Sequence, residues 1–136
     1  MIRRSAAVIL MFGVCAFAQT IKKVPARYTS PADGKEMYTA HCAACHGADG
    51  TGNGPASPAL KAAPTDLTQL SKSNGGKYPE NHVYNAIKGE VGVPAHGSKD
   101  MPVWGNVFRS VSGGHDAEVQ QRLVNLTQYV RKLQQD

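Results

Sequence analysis

The sequence predicts an all-α domain with long loops. Three observations carry that expectation. Val119, Leu123, Leu126, Val130 and Leu133 recur at steps of four, three, four and three, which is one face of a helix. No segment of any length alternates apolar and polar residues as a half-buried strand would, and no internal repeat is present. Aromatic residues make up only 7% of the chain, while residues 47–64 and 92–105 are rich in Gly and Pro and lack a sustained period. Loops beyond about 12–15 residues are uncommon in a compact domain unless they serve a function. A bulky apolar cofactor, with the loops wrapped around it, would replace the part of the core that the side chains fail to supply.

The N-terminus has the form of a signal peptide. Arg3 and Arg4 are followed by residues 6–18, which are free of charge and mostly apolar, and Ala16-Phe17-Ala18 offers an A-x-A cleavage pattern. That stretch holds 13 residues, short of the ~20 a membrane-spanning helix needs. The predicted organisation is therefore a signal peptide over 1–18, an exposed lead-in over 19–29 and one domain over 30–136. The competing interpretation is a retained membrane anchor. A lipidated Cys15 is disfavoured because Val14 stands where a small residue usually precedes such a cysteine. Cleavage after Ala18 leaves 136 − 18 = 118 residues, suited to one domain. It leaves Cys42 and Cys45 as the cysteines of the chain expected to be exported to the periplasm.

Losing Arg3 and Arg4 takes the 15 basic side chains to 13 against 10 acidic ones, a net charge of 13 − 10 = +3. The lysines are scattered and no arginine-rich stripe carries interleaved aromatics, which argues against nucleic acid as a partner. A weakly positive face remains available for docking.

Ser30-Pro31-Ala32-Asp33 predicts a helix start, with Ser30 as cap and Pro31 in the first helical position. This helix carries Met37 and Tyr38 toward the core and runs into "HCAACH". Short helices are expected over 66–71 and 79–88, the second stopped by Gly89. Asp116 is the expected cap of the last helix, and Arg131 and Lys132 lie in its final turns, where the helix dipole favours cations. Tyr84 and Leu123 join Tyr38 as expected core residues.

The chemistry concentrates in His41-Cys42-Ala43-Ala44-Cys45-His46-Gly47. A disulfide across so short a span would staple little. Zinc needs four ligands, but no second cysteine pair exists, and His82, His96 and His115 lack zinc-finger spacing. A redox C-x-x-C site expects a βαβ setting, which is missing. The remaining interpretation is covalent haem, for which C-x-x-C-H is the attachment signature. Two sulfurs three positions apart at a helix end lie on one side and can reach both vinyl groups of one porphyrin. His46 is then held under the iron as an axial ligand. His41, too close to the attachment point to reach the opposite face, is expected to be a surface or packing residue.

Met1 and Met11 leave with the signal, and Met37 belongs to the core face of the first helix. Met101 lies in a polar, glycine-bounded loop, 101 − 46 = 55 residues after His46, and is stiffened by Pro102. An apolar anchor in such a loop needs a destination, and the sixth iron position supplies one. His96 and Lys99 compete from the same loop.

"CAACHG" after an N-terminal helix, "GPASPAL", "HGSKDMPVWG" and a C-terminal amphipathic helix together resemble the small, single-haem, class I c-type cytochromes. The resemblance spans about residues 30–133. The "DMPVWG" form is similar to bacterial members, including cytochrome domains of respiratory oxidase complexes. It implies crossed N- and C-terminal helices, with short helices and long loops wrapping one covalent haem c held through Cys42 and Cys45. It implies His46 and Met101 as ligands to the iron. Pro58-Ala59-Leu60 looks like the family's Pro-x-Leu element, which would aim the Pro58 carbonyl at His46, with Pro55 as a rival. Trp104 would cover the haem, donate to a propionate or simply pack. Residues 64–78 depart from the pattern, and their path is not legible.

With both axial positions filled, no small-molecule substrate can bind at the iron, and Met/His ligation raises the reduction potential. The expected function is a soluble, monomeric periplasmic one-electron carrier rather than an enzyme. It would dock briefly, through small interfaces of under ~1,200 Å², on redox proteins such as a membrane respiratory complex. The alternatives are a haem-bearing accessory subunit of a larger oxidoreductase, or a haem enzyme with a displaceable sixth ligand. "GADGTGNG" lacks the GK[ST] of a phosphate cradle, and Asn125-Leu126-Thr127, a glycosylation match, falls inside a predicted helix.

Overall fold

The computed structural model describes residues 25–90 and 101–135. The expected signal peptide, His96 and Lys99 lie outside the described residues. Among the described residues there are six α-helices and no strand: α1 Gly34–His41, α2 Ala43–His46, α3 Leu70–Ser73, α4 Glu80–Lys88, α5 Trp104–Val111 and α6 Asp116–Lys132. Two 3-10 turns, Ser57–Ala59 and Leu67–Gln69, punctuate the loops. No described helix is long and apolar enough to cross a membrane.

The long helix α6 is the spine. It packs against α1, α4 and α5. Its predicted stripe is the buried face: Val119, Leu123, Leu126 and Val130 join Met37 and Tyr38 of α1, Val83 and Ile87 of α4, Phe108 of α5, and Leu67. Fully burying one such side chain contributes about 1.5–3 kcal/mol. The α1–α6 contact is so close that a Cβ on Gly34 would run into the Asn125 carbonyl and the Tyr129 side chain. Gly34→Val is expected to lower stability by about 3 kcal/mol, read as the unfolding midpoint in denaturant. An unchanged midpoint would mean that the two helices do not meet there.

Three local starts differ from expectation. Asp33, not Ser30, caps α1: its carboxylate accepts from the Glu36 N–H at 2.9 Å. Ser30-Pro31-Ala32-Asp33 is a turn closed by the Asp33 N–H on the Ser30 carbonyl at 3.2 Å, since proline suits the second position of a turn as well as the first of a helix. His115 takes the cap position of α6. Asp116 enters the first turn, where it pairs with Arg109 at 2.6 Å. Helix α5 was not predicted, although Trp104, Val107, Phe108 and Val111 have helical spacing. The Gly- and Pro-rich stretch running into Trp104 obscured it. The stop of α4 at Gly89 is as expected, in the left-handed region.

Two burial expectations also change. Pro25 to Tyr28 are exposed, but Thr29 is 1% exposed, so the lead-in ends at Tyr28. Tyr84 is only half-buried and donates its hydroxyl to Gln120, so it edges the core rather than filling it. Inside the core, the Thr127 hydroxyl is buried with no partner among the described residues. Thr127→Val is expected to stabilise the fold by about 1 kcal/mol, because it relieves that unpaired oxygen. A lower urea midpoint would contradict this.

Candidate cofactor site

The predicted first helix does not continue unbroken through the cysteine motif. Cys42 is the joint between α1 and α2: its N–H donates to the Tyr38 carbonyl at 2.8 Å. Its carbonyl accepts from the N–H groups of Cys45 and His46 at 3.1 and 2.9 Å. The one-turn helix α2 would expose its last carbonyls, which a helix end must satisfy elsewhere. The following loop does this. Gly52, Gly54 and Ala56 donate their N–H groups to His46, Cys45 and Ala44 at 2.8, 3.1 and 2.8 Å. Only glycine allows that approach at position 54, where a Cβ would overlap the Ala44 and Cys45 carbonyl groups. The buried Tyr38 hydroxyl donates to the Gly47 carbonyl at 2.7 Å and ties the motif's end back to α1.

These constraints turn Cys42, Cys45 and His46 toward one apolar cavity. Leu60, Met101 and Trp104 line the same cavity, together with Val83, Ala86 and Ile87 of α4 and Leu126 and Val130 of α6. Sequence positions 42 to 46 and 101 thus meet across a single space. Pro58 is exposed and does not line it. The carbonyl that accepts from His46 Nδ1, at 3.1 Å, belongs to Thr65, not to Pro58 or Pro55. The turn at Ser57–Ala59 carries Pro58 outward, and the chain reaches the ring only after Pro64.

A carbonyl can only accept, so Nδ1 carries the proton and Nε2 the lone pair. Burial holds His46 below the ordinary histidine range, and the Thr65 bond partly offsets that. The imidazole is therefore kept neutral, as a metal ligand must be. Cys42 and Cys45 are both free thiols. Burial, helped by the Cys45 sulfur, pushes the Cys42 thiol up to about 12. An attacking redox thiol needs a lowered value, so Cys42 is unsuited to lead disulfide exchange. Among the described residues, no group of three or more His, Cys, Asp or Glu side chains could hold a metal ion by itself. The donor set instead fits a flat apolar group that brings its own metal: two thiols to bond it, one buried imidazole with its lone pair at Nε2, one thioether, and aliphatic walls.

Two site residues escaped the sequence reading, Thr65 and His82. Thr65 acts through its backbone, which leaves no residue-type signal. His41 packs as expected, tilted against Trp104 and edge-on to Phe108 at centroid distances of 5.2 and 5.9 Å, and it also lines the cavity. His82 lines the cavity from α4. It sits four residues before Ala86 on one helix face, a spacing that could have signalled it. Trp104 packs on His41 and Phe108 while bordering the cavity.

A family model for Cytochrome c matches residues 31–134. No curated protein and no solved structure matches the chain.

Proposed function

Because the chain belongs to the cytochrome c family, we propose that it is an exported one-electron carrier with a single haem c, ligated by His46 and Met101. The family binds haem c covalently, and Cys42, Cys45 and His46 form the matching C-x-x-C-H arrangement. The observation that carries the finer reading is the single cavity shared by Cys42, Cys45, His46 and Met101. When bound, the haem supplies a reversible one-electron couple.

The chain's own residues do the rest. The Thr65 carbonyl fixes the tautomer and direction of the His46 ring and raises its basicity. Met101, followed by Pro102, offers a neutral sulfur from the far loop, and neutral Met/His donors favour the reduced state. Leu60, Val83, Ile87, Leu126 and Val130 give the cavity apolar walls, which favours the less charged state further. His46 and Met101 would hold the iron from the chain and leave it no position for a substrate, which favours electron exchange with redox proteins over catalysis. A membrane respiratory complex is the proposed partner class, and the carrier is proposed to act as a monomer. Export to the periplasm is supported by the signal-like residues 1–18, with processing after Ala18.

Intact mass, acidified organic extraction and an optical redox titration on exported protein test this together. The expected result is one porphyrin increment that resists extraction, a single one-electron wave, and a chain beginning at Gln19. An extractable pigment, a second increment or two waves would overturn it.

A further inference from the structure

A buried cation stands behind one wall of the cavity. Arg122 is 0% exposed. Its guanidinium donates to the Thr29 carbonyl and hydroxyl at 2.7 and 3.1 Å, to the Ser112 hydroxyl at 3.0 Å, and to the Glu118 carboxylate at 2.7 Å. The Thr29 hydroxyl, taken by Arg122 on one side, lies 3.5 Å from His41 Nε2 on the other. His41 in turn lines the cavity and packs on Trp104. Arg122, Thr29 and His41 thus form a continuous polar path from the α6 side of the fold to the cavity wall.

We propose that His41 takes up a proton in step with the electron received at the site, so that this carrier's reduction potential depends on pH through a residue outside the ligand set. The inference rests on the electron-carrier reading above. In balance, one electron arrives from a redox protein and one proton arrives from solvent at His41 Nε2. Both leave on oxidation, and no bond to the cofactor is made or broken. Reduction lowers the charge in the cavity, and a nearby imidazolium is then better tolerated.

The groups facing His41 set where this happens. Arg122 from α6 and Arg27 from the lead-in oppose its protonation. Glu36 of α1 favours it, and α5 presents only Trp104 and Phe108. Burial and the two arginines hold His41 below its ordinary value of 6.5. Because the reduced state binds the proton more tightly, the potential is higher in acid. It falls as pH rises through a window below about 6.5 and is level above it.

The test is a spectroelectrochemical titration of the haem-loaded protein from pH 4.5 to 8. Wild type should show a step over which the reduced-to-oxidised ratio changes roughly threefold, about 28 mV at 59 mV per decade. His41→Phe keeps the aromatic packing and should lose the step. Arg27→Gln, a change at an exposed residue, should move the step to higher pH with the fold intact. A wild-type profile without a step, a His41→Phe profile that retains it, or an Arg27→Gln step that stays in place would overturn the proposal. Absence of any one-electron wave at pH 8 would overturn the carrier reading itself.

Discussion

Replacing Cys42 and Cys45 together by serine is expected to abolish covalent cofactor attachment and to remove most of the domain's stability. The reason lies in what the cavity takes from the core. Val83 and Ile87 of α4 and Leu126 and Val130 of α6 belong to the buried cluster, yet the same residues line the cavity. Their packing on that side depends on an apolar occupant. A domain of this size has only about 5–15 kcal/mol of net stability. Thioether bonds would keep the group on the chain in both the folded and the unfolded state, so it contributes through the apolar surface that it and the cavity walls bury only on folding. The double variant should therefore lose on the order of 5 kcal/mol or more, visible as a collapse of far-UV circular dichroism near room temperature and a mass without the porphyrin increment. A helical, cooperatively melting double variant with no pigment would show that the side chains alone build the core. It would also remove the cofactor's structural role.

Met101→Ala is expected to leave the covalent attachment intact while lowering the reduction potential by about 100 mV or more, within the wide range over which axial ligands set haem potentials. Two effects add. The neutral sulfur that favours the reduced state is lost. Water then enters a wall position that Met101 had half-buried, and a wetter site favours the more highly charged state. The vacated position should also bind added imidazole or cyanide, seen as a saturable optical change absent from wild type. His96 and Lys99 precede Met101 in the same loop. If either were the ligand instead, Met101→Ala would leave potential and spectrum unchanged, and the His46/Met101 assignment would fail.

Much of this molecule is written in short sequence spacings. The stripe from Val119 to Val130 encodes both α6 and the face it buries, because 3.6-residue periodicity is a local property, while Leu133, its expected last member, caps the helix end half-buried. The stop of α4 at Gly89 is equally local, since glycine alone takes the left-handed conformation without strain. Cys42, Cys45 and His46 announce a covalent haem through spacing alone, and the cytochrome c match over 31–134 agrees with that reading. Where two local signals compete, spacing misleads. Ser30 and Asp33 could each cap α1, and the choice fell to Asp33 once Pro31 settled into a turn. The helical spacing of α5 was present but was outweighed by the glycines and prolines before it.

Local chemistry was enough for the helices, the attachment motif and the candidate ligands, because each depends on residues a few positions apart. Folding alone could decide that Thr65 rather than Pro58 holds His46, that Met101 shares a cavity with residues more than fifty positions earlier, and that Arg122, polar on paper, is buried behind His41. Those outcomes depend on loop paths and backbone carbonyls, which carry no residue-type signature. They also depend on a charge whose desolvation is offset only by partners as distant in the chain as Thr29.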